Sequence, residues 1–229
     1  MIYNLNYNMY YRSLSDTTWE EVAAISKIGL APLLFSVGET KDGATLIKAD
    51  SSGCVFSLGV VGEACYRYGD YPYGTMDGYV SIIKTGWYNS TQYAEEHGTV
   101  TLRSLERSLP SDMLSVMKTV RKECVDAGTG DQRITSYYNF KLYPPNVSEA
   151  KYTYSQYMPD TKIWTRDGGA NHISPGYNTV SYWYGFYTYD KTQSVPQSVT
   201  NFGDTTYSDN VWISKFGTET LPLVVLFEV

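Results

Sequence analysis

The sequence predicts an α+β fold, and three observations carry that expectation. An amphipathic stripe at helical spacing occupies the region near residues 17–28. A second helical block lies near residues 102–124. Most of the remainder is short β-like runs punctuated by Gly, Pro, Asn and Ser, with no internal repeat. The order is helix, hairpin, helices, then irregular β, so strands and helices are segregated instead of alternating as in a βαβ array.

The first helix is expected from Thr17 to Ile28. Ser15 or Asp16 can cap it, and both Thr17-x-x-Glu20 and Thr18-x-x-Glu21 read as capping boxes. Trp19, Val22, Ala23 and Ser26 share one face, and Gly29 is the natural stop. A short extended piece is expected from Leu33 to Val37. Strands then follow at Thr45–Ala49 and Cys54–Val61, joined by Asp50-Ser51-Ser52-Gly53, which is hairpin-turn chemistry. Tyr66–Gly78 reads as a long loop and Tyr79–Thr85 as a further strand.

In the second block Leu102, Leu105 and Leu109 form one stripe. After Pro110, residues Met113, Val116, Met117, Val120 and Cys124 form another, so a helix is expected to run through them until Gly128-Thr129-Gly130. Ile163-Trp164-Thr165-Arg166 reads as a strand, residues 167–210 as loops and short strands, and Trp212–Ser214 and Leu221–Val229 as further strands.

Composition narrows function. The chain has 229 residues, 42% hydrophobic and 18% charged, enough to fold around a core and too apolar for disorder. A net charge of −6 argues against nucleic acid, whose phosphates call for a basic face. No apolar run reaches the roughly 20 residues of a membrane span, so no membrane insertion is expected. Residues 1–7 lack a basic region followed by an apolar core, so no secretion signal is expected. The three cysteines, Cys54, Cys65 and Cys124, show no CxxC spacing. A Cys54–Cys65 bridge across a hairpin is conceivable, but buried thiols are the favoured reading.

The abundant residue is tyrosine, with 23 copies, concentrated in the 66–73 and 182–189 stretches. On loops, tyrosine offers large rigid contact area with a polar tip and little rotamer entropy to lose. The expected ligand-binding set is Tyr177, Asn178, Tyr182, Tyr184, Tyr187, Tyr189, Asp190, Asn201, Tyr207 and Asp209. The competing reading is that many tyrosines serve the core or sheet, since the residue has high β-propensity.

Signals for catalysis are weak. His97 and His172 stand alone, each better read as a solvated side chain than as a base or ligand. Asp190, Asp204 and Asp209 supply carboxylates but not in EF-hand order, so no metal or other cofactor is expected. No phosphate loop, nucleophile elbow or informative Cys/His spacing occurs, and no motif selects a glycosidase carboxylate pair. The chain is therefore not expected to be an enzyme.

The run Thr18-Trp19-Glu20-Glu21-Val22-Ala23-Ala24-Ile25-Ser26, followed by Val37-Gly38-Glu39-Thr40-Lys41, resembles the TWEEIA…VGDTK signature of an uncharacterised domain family of Gram-positive bacteria and their phages. Leu109-Pro110, Lys141-Leu142-Tyr143, Val147-Ser148-Glu149, Ile163-Trp164-Thr165-Arg166 and Leu221-Pro222 match later motifs of that family in order. Glu39 stands where the family has Asp, and Leu221 where it has Arg. The resemblance implies a C-type-lectin-like fold: two or three helices packed on small antiparallel sheets, with long irregular C-terminal loops. It implies an N-terminal extension over 1–15 and a single such domain over 16–229. The Glu-Pro-Asn, Gln-Pro-Asp and Trp-Asn-Asp calcium triplets of lectins of this fold are absent.

What the resemblance and the tyrosines together imply is a non-enzymatic binding part of a phage virion. It would sit on a tail, fibre or capsid and be assembled in the host cytoplasm. Its partners would be a host cell-surface protein or glycan and other virion subunits. A homo-oligomer is expected, a trimer by analogy with fibre proteins. The alternative is a structural assembly or decoration protein whose tyrosines contact neighbouring subunits.

Overall fold

A computed structural model describes residues 12–64, 82–83, 99–100, 102–126, 134–173, 181–192, 211–215 and 221–229. These residues form a mixed α+β structure with short helices and three antiparallel sheets. The expected loop over 66–78, the Gly128–Gly130 stop, Cys65 and His97 lie outside the described residues, as does most of the expected 79–85 strand.

Helix α1 runs Trp19–Lys27. Of the two capping boxes legible in the sequence, Thr18 and Glu21 form the one that closes. The Thr18 hydroxyl accepts from the Glu21 N–H at 3.2 Å, and the Glu21 carboxylate accepts from the Thr18 N–H at 2.9 Å. Gly29, at φ +71°, takes the left-handed position that ends the helix. The next segment is not extended as expected. Ala31–Leu34 makes one helical turn, α2, because Pro32 suits a first turn where its missing N–H costs nothing.

Strands β1 (Thr40–Lys41) and β2 (Ala44–Asp50) are joined by Asp42-Gly43, both at positive φ, the backbone that a tight two-residue hairpin requires. β3 (Gly53–Ala64) then pairs with β2 along its first residues. β11 (Leu221–Glu228) pairs with β3 from Val55 to Ala64, and the short β4 (Ile82–Ile83) and β5 (Thr99–Val100) complete this six-stranded sheet. The second edge of β11 is taken up by Tyr143, whose N–H and C=O exchange bonds with Leu226 at 2.9 and 2.8 Å.

The core forms where α1 lies on this sheet. Trp19, Phe56 and Phe227 are fully buried, with Phe56 and Phe227 stacked at 5.3 Å and Trp19 edge-on to Phe56 at 5.1 Å. The Trp19 indole N–H donates to Asp42 at 2.8 Å, so the β1–β2 turn also caps the buried ring. Cys54 is a free, buried thiol that accepts from the Ser26 hydroxyl at 2.9 Å, and burial pushes its pKa up.

Helices α3 (Leu102–Ser108) and α4 (Ser111–Val116) follow, with α4 packed on α1. The helix expected to continue to Cys124 stops at Val116. Met117 is extended, and Val120–Asp126 is strand β6, paired in register with β7 (Ile134–Phe140). The third sheet is β8 (Ile163–Ile173), β9 (Ser181–Tyr189) and β10 (Val211–Lys215), ordered β10-β9-β8. Its residues therefore pair as a hairpin with one added strand where the sequence suggested mostly loop.

Candidate functional site

The β8–β9–β10 sheet carries the part of the expected binding set that is described. It has an anchored end and a distal end. At the anchored end Ile163 stands opposite Tyr189 and Trp164 opposite Thr188, and all four residues are buried. Tyr189 is 3% exposed, and its hydroxyl lies 3.3 Å from that of Ser155. Asp190 is 6% exposed and accepts from the Thr192 N–H at 2.9 Å and the Thr192 hydroxyl at 2.6 Å, closing a turn at the foot of the strand. Lys191 pairs with Asp160 at 2.8 Å and donates to the Met158 carbonyl. Tyr189 and Asp190 thus lie at the buried foot of this sheet.

Past the foot, pairing shifts register between Trp164 and Gly168 and then runs without interruption from Gly168↔Phe186 to Ile173↔Ser181. Tyr182 occupies the position opposite His172, Tyr184 the position opposite Ala170, and Tyr187 the position opposite Ile213 of β10. At a rise of about 3.3 Å per residue, the 181–173 end stands roughly 25 Å from Tyr189 along the strand. Tyr177, Asn178, Asn201, Tyr207 and Asp209, together with Asp204, lie outside the described residues.

A charged cluster sits beside the foot, assembled from four stretches far apart in sequence. Arg166, 3% exposed, lies within the register shift of β8. Its backbone N–H donates to Pro145 O, its Nε to Glu123 O and its Nη1 to Pro144 O, each at 2.9 Å, and Nη1 also meets the Glu149 carboxylate. Glu149 opens an irregular helical turn, Glu149–Thr153, and exchanges side-chain and backbone bonds with Asn146 at 3.0 and 2.7 Å. Lys122 of β6 reaches Glu228 of β11 at 2.6 Å and Glu149 at 3.8 Å.

Tyr143 lies among these groups, its hydroxyl donating to Glu228 at 3.0 Å. The Lys122 ammonium is 4.5 Å from its ring centroid and the Arg166 guanidinium 5.5 Å. Burial, and then the nearby negative charge of Glu228 and Glu149, pushes the Tyr143 hydroxyl far above its ordinary value, so it remains a donor. Tyr154 is shifted in the same direction, again chiefly by burial.

Glu149 already accepts from Asn146 and Arg166, and Glu228 from Lys122 and Tyr143. Two cations balance two anions in a shared network, which is how a protein satisfies buried charge. Among the described residues, no group of three or more His, Cys, Asp or Glu could hold a metal ion. No helix among them is long and apolar enough to cross a membrane.

Sequence reading did not find this cluster as a unit. Its members were visible singly, in Lys141-Leu142-Tyr143, Val147-Ser148-Glu149 and Ile163-Trp164-Thr165-Arg166. The usable signal was an arginine closing an apolar strand, since such a charge is buried only with partners. Compared with known protein families, curated proteins and solved structures, the chain matches none.

Proposed function

We propose that this chain is a non-enzymatic binding module, with C-type-lectin-like architecture, of a phage virion tail, fibre or capsid. In this reading the distal half of the β8–β9 hairpin and the neighbouring Tyr-rich stretches recognise a host-surface protein or glycan. The observation that carries it is the two-ended sheet. Its foot is buried and pinned, while Tyr182 and Tyr184 fall on the half of β9 beyond the register shift. A rigid base bearing aromatic, polar-tipped residues is the arrangement that binding surfaces favour, because little entropy is lost on contact. The phage assignment rests on the resemblance of the TWEE segment and the motifs after it.

The test is attachment of the purified chain to a panel of Gram-positive cells. Replacing Tyr182, Tyr184 and Tyr187 together with Ala is expected to abolish attachment while leaving the melting transition in place. Pretreating the cells with protease or with periodate separates a protein receptor from a glycan. Full attachment by the folded triple variant removes the hairpin from the binding surface.

One observation favours the alternative of a structural virion part. Ile28, Leu30, Leu33 and Val37 are exposed within ten residues of one another, around the end of α1 and the α2 turn. Such aliphatic exposure suits a contact with a neighbouring subunit. Under that reading Leu33→Asp disrupts self-association or particle assembly and leaves cell attachment intact.

A further inference from the structure

We propose that residues 1–11 cover the exposed aliphatic patch at the end of α1. The segment ahead of Arg12 lays its apolar side chains over Ile28, Leu30, Leu33 and Val37 of the same chain and keeps them from other molecules. The proposal is independent of the hairpin reading. It competes with a neighbouring subunit for the same patch.

From Ile28 to Gly38 the chain has no Asp, Glu, Lys or Arg. Ile28 is nevertheless 66% and Leu33 57% exposed, with Leu30 and Val37 exposed beside them. Pro32, between Leu30 and Leu33, is exposed as well. Single apolar residues on a surface are ordinary, but a local group with no charge among them calls for a cover.

Residues 1–11 lie outside the described residues, and their sequence suits the patch in kind. They carry no charged side chain. Tyr3, Leu5, Tyr7 and Met9 alternate with Asn4, Asn6 and Asn8. Alternation at period two gives an extended segment one side of large, mainly apolar groups and one side of amides. Such a segment has one face to bury and one to leave in water.

The start of the described chain brings the two together. Arg12 is anchored, with Nη1 donating to the Glu21 carboxylate at 3.0 Å and Nη2 to the Asp16 carbonyl at 2.9 Å. Leu14 is fully buried, and the short helical turn Leu14–Asp16 packs against β1. Val37 lies just ahead of β1 in the chain, so the segment sets out from the β1 end of the patch. The far end, at Ile28, follows α1, whose nine residues span about 13 Å. Residues 1–11 reach up to about 36 Å when extended, so they cross the patch with chain to spare. A tether of this kind holds the segment at an effective concentration on the order of millimolar, above that of a second copy free in solution.

Photocrosslinking of the full chain tests this, with Tyr7 replaced by photoreactive benzoylphenylalanine. Chains of natural and heavy nitrogen are mixed before irradiation. The expected products join residue 7 to the 28–37 stretch within one chain. Products that join light to heavy chains, or that fall elsewhere, overturn the proposal, and light-to-heavy products at 28–37 favour the subunit contact instead. Hydrogen exchange gives a second readout. Leu5→Asp combined with Met9→Asp is expected to speed exchange over 29–37 by about fivefold or more, with 44–50 and 53–58 unchanged. Asn4→Asp combined with Asn8→Asp puts the same charge on the other face and is expected to leave 29–37 as it is. Equal effects from the two pairs, or no effect from either, overturn the proposal.

Discussion

The sheet built on β3 and the sheet built on β9 are held in different ways. In the first, buried apolar side chains run along the paired strands β3 and β11: Val55 and Phe56 on β3, Leu223 to Phe227 on β11, with Trp19 laid across them. In the second, the described burial is confined to Ile163–Arg166 and Thr188–Asp190. That end joins the same apolar core through Ile163, Trp164 and Tyr189, and adds directed bonds at Arg166, Asp190 and Lys191. Apolar packing sums over area and tolerates sliding, whereas a polar clamp is short-ranged and sets an angle. Both regions reach the same apolar core, and the second adds a set of directed polar bonds to it.

The comparison breaks most severely at Trp19. Trp19→Ala removes a fully buried ring and frees the Asp42 acceptor, and is expected to cost about 3–5 kcal/mol in a denaturant titration. Both sheets are expected to melt together, since β11 touches β8. Separate transitions would mean that the two regions fold independently. Next in size is Glu228→Gln, which takes the charge from an acceptor shared by Lys122 and Tyr143. Its expected cost is about 1–3 kcal/mol, because donors remain half-buried without their anion.

Thr18→Ala sharpens the contrast from the other side. It deletes one arm of the capping box and is expected to cost about 1 kcal/mol, with fraying confined to α1. The smallest effect is one of pH. The Lys41 ammonium, and then the Trp19 indole N–H, hold the Asp42 carboxyl below its ordinary value. A depressed carboxyl contributes stability that is present above its unfolded pKa and is lost as pH falls through the folded one. Stability is therefore expected to decline below about pH 4, by a few tenths of a kcal/mol given the exposure of Asp42. Asp42→Asn tolerates the left-handed backbone at φ +48° and is expected to flatten that part of the pH profile.

The elements legible in the sequence are those whose signals are local. The capping box at Thr18, the Gly29 stop, the turn at Asp50–Gly53 and the apolar run at Leu221 all lie within a few residues of what they determine. One misread stretch is 117–126. Val120 and Cys124 continue the helical spacing of Met113, yet Val120 to Asp126 pairs residue by residue with 134–140, a partner that no short window contains. The same holds for the site. Tyr189 and Asp190 look like their neighbours in the Tyr-rich run, and only the pairing with Ile163 and the turn to Thr192 turn them into foundation. The Lys122–Glu228 contact joins residues 106 positions apart, and nothing local marks it.

The pairing of β3 with β11 has a consequence for the newborn chain. Phe56 and Phe227 face each other from roughly 170 positions apart, a separation that slows folding because a long loop must close before any contact rewards it. Until that happens one side of β3 from Val55 to Ala64 is an open edge, the kind that recruits strands from other molecules. During synthesis this edge of β3 thus stays open until Leu221–Glu228 has been made, and its hazard is partnering with the wrong chain before its own strand arrives.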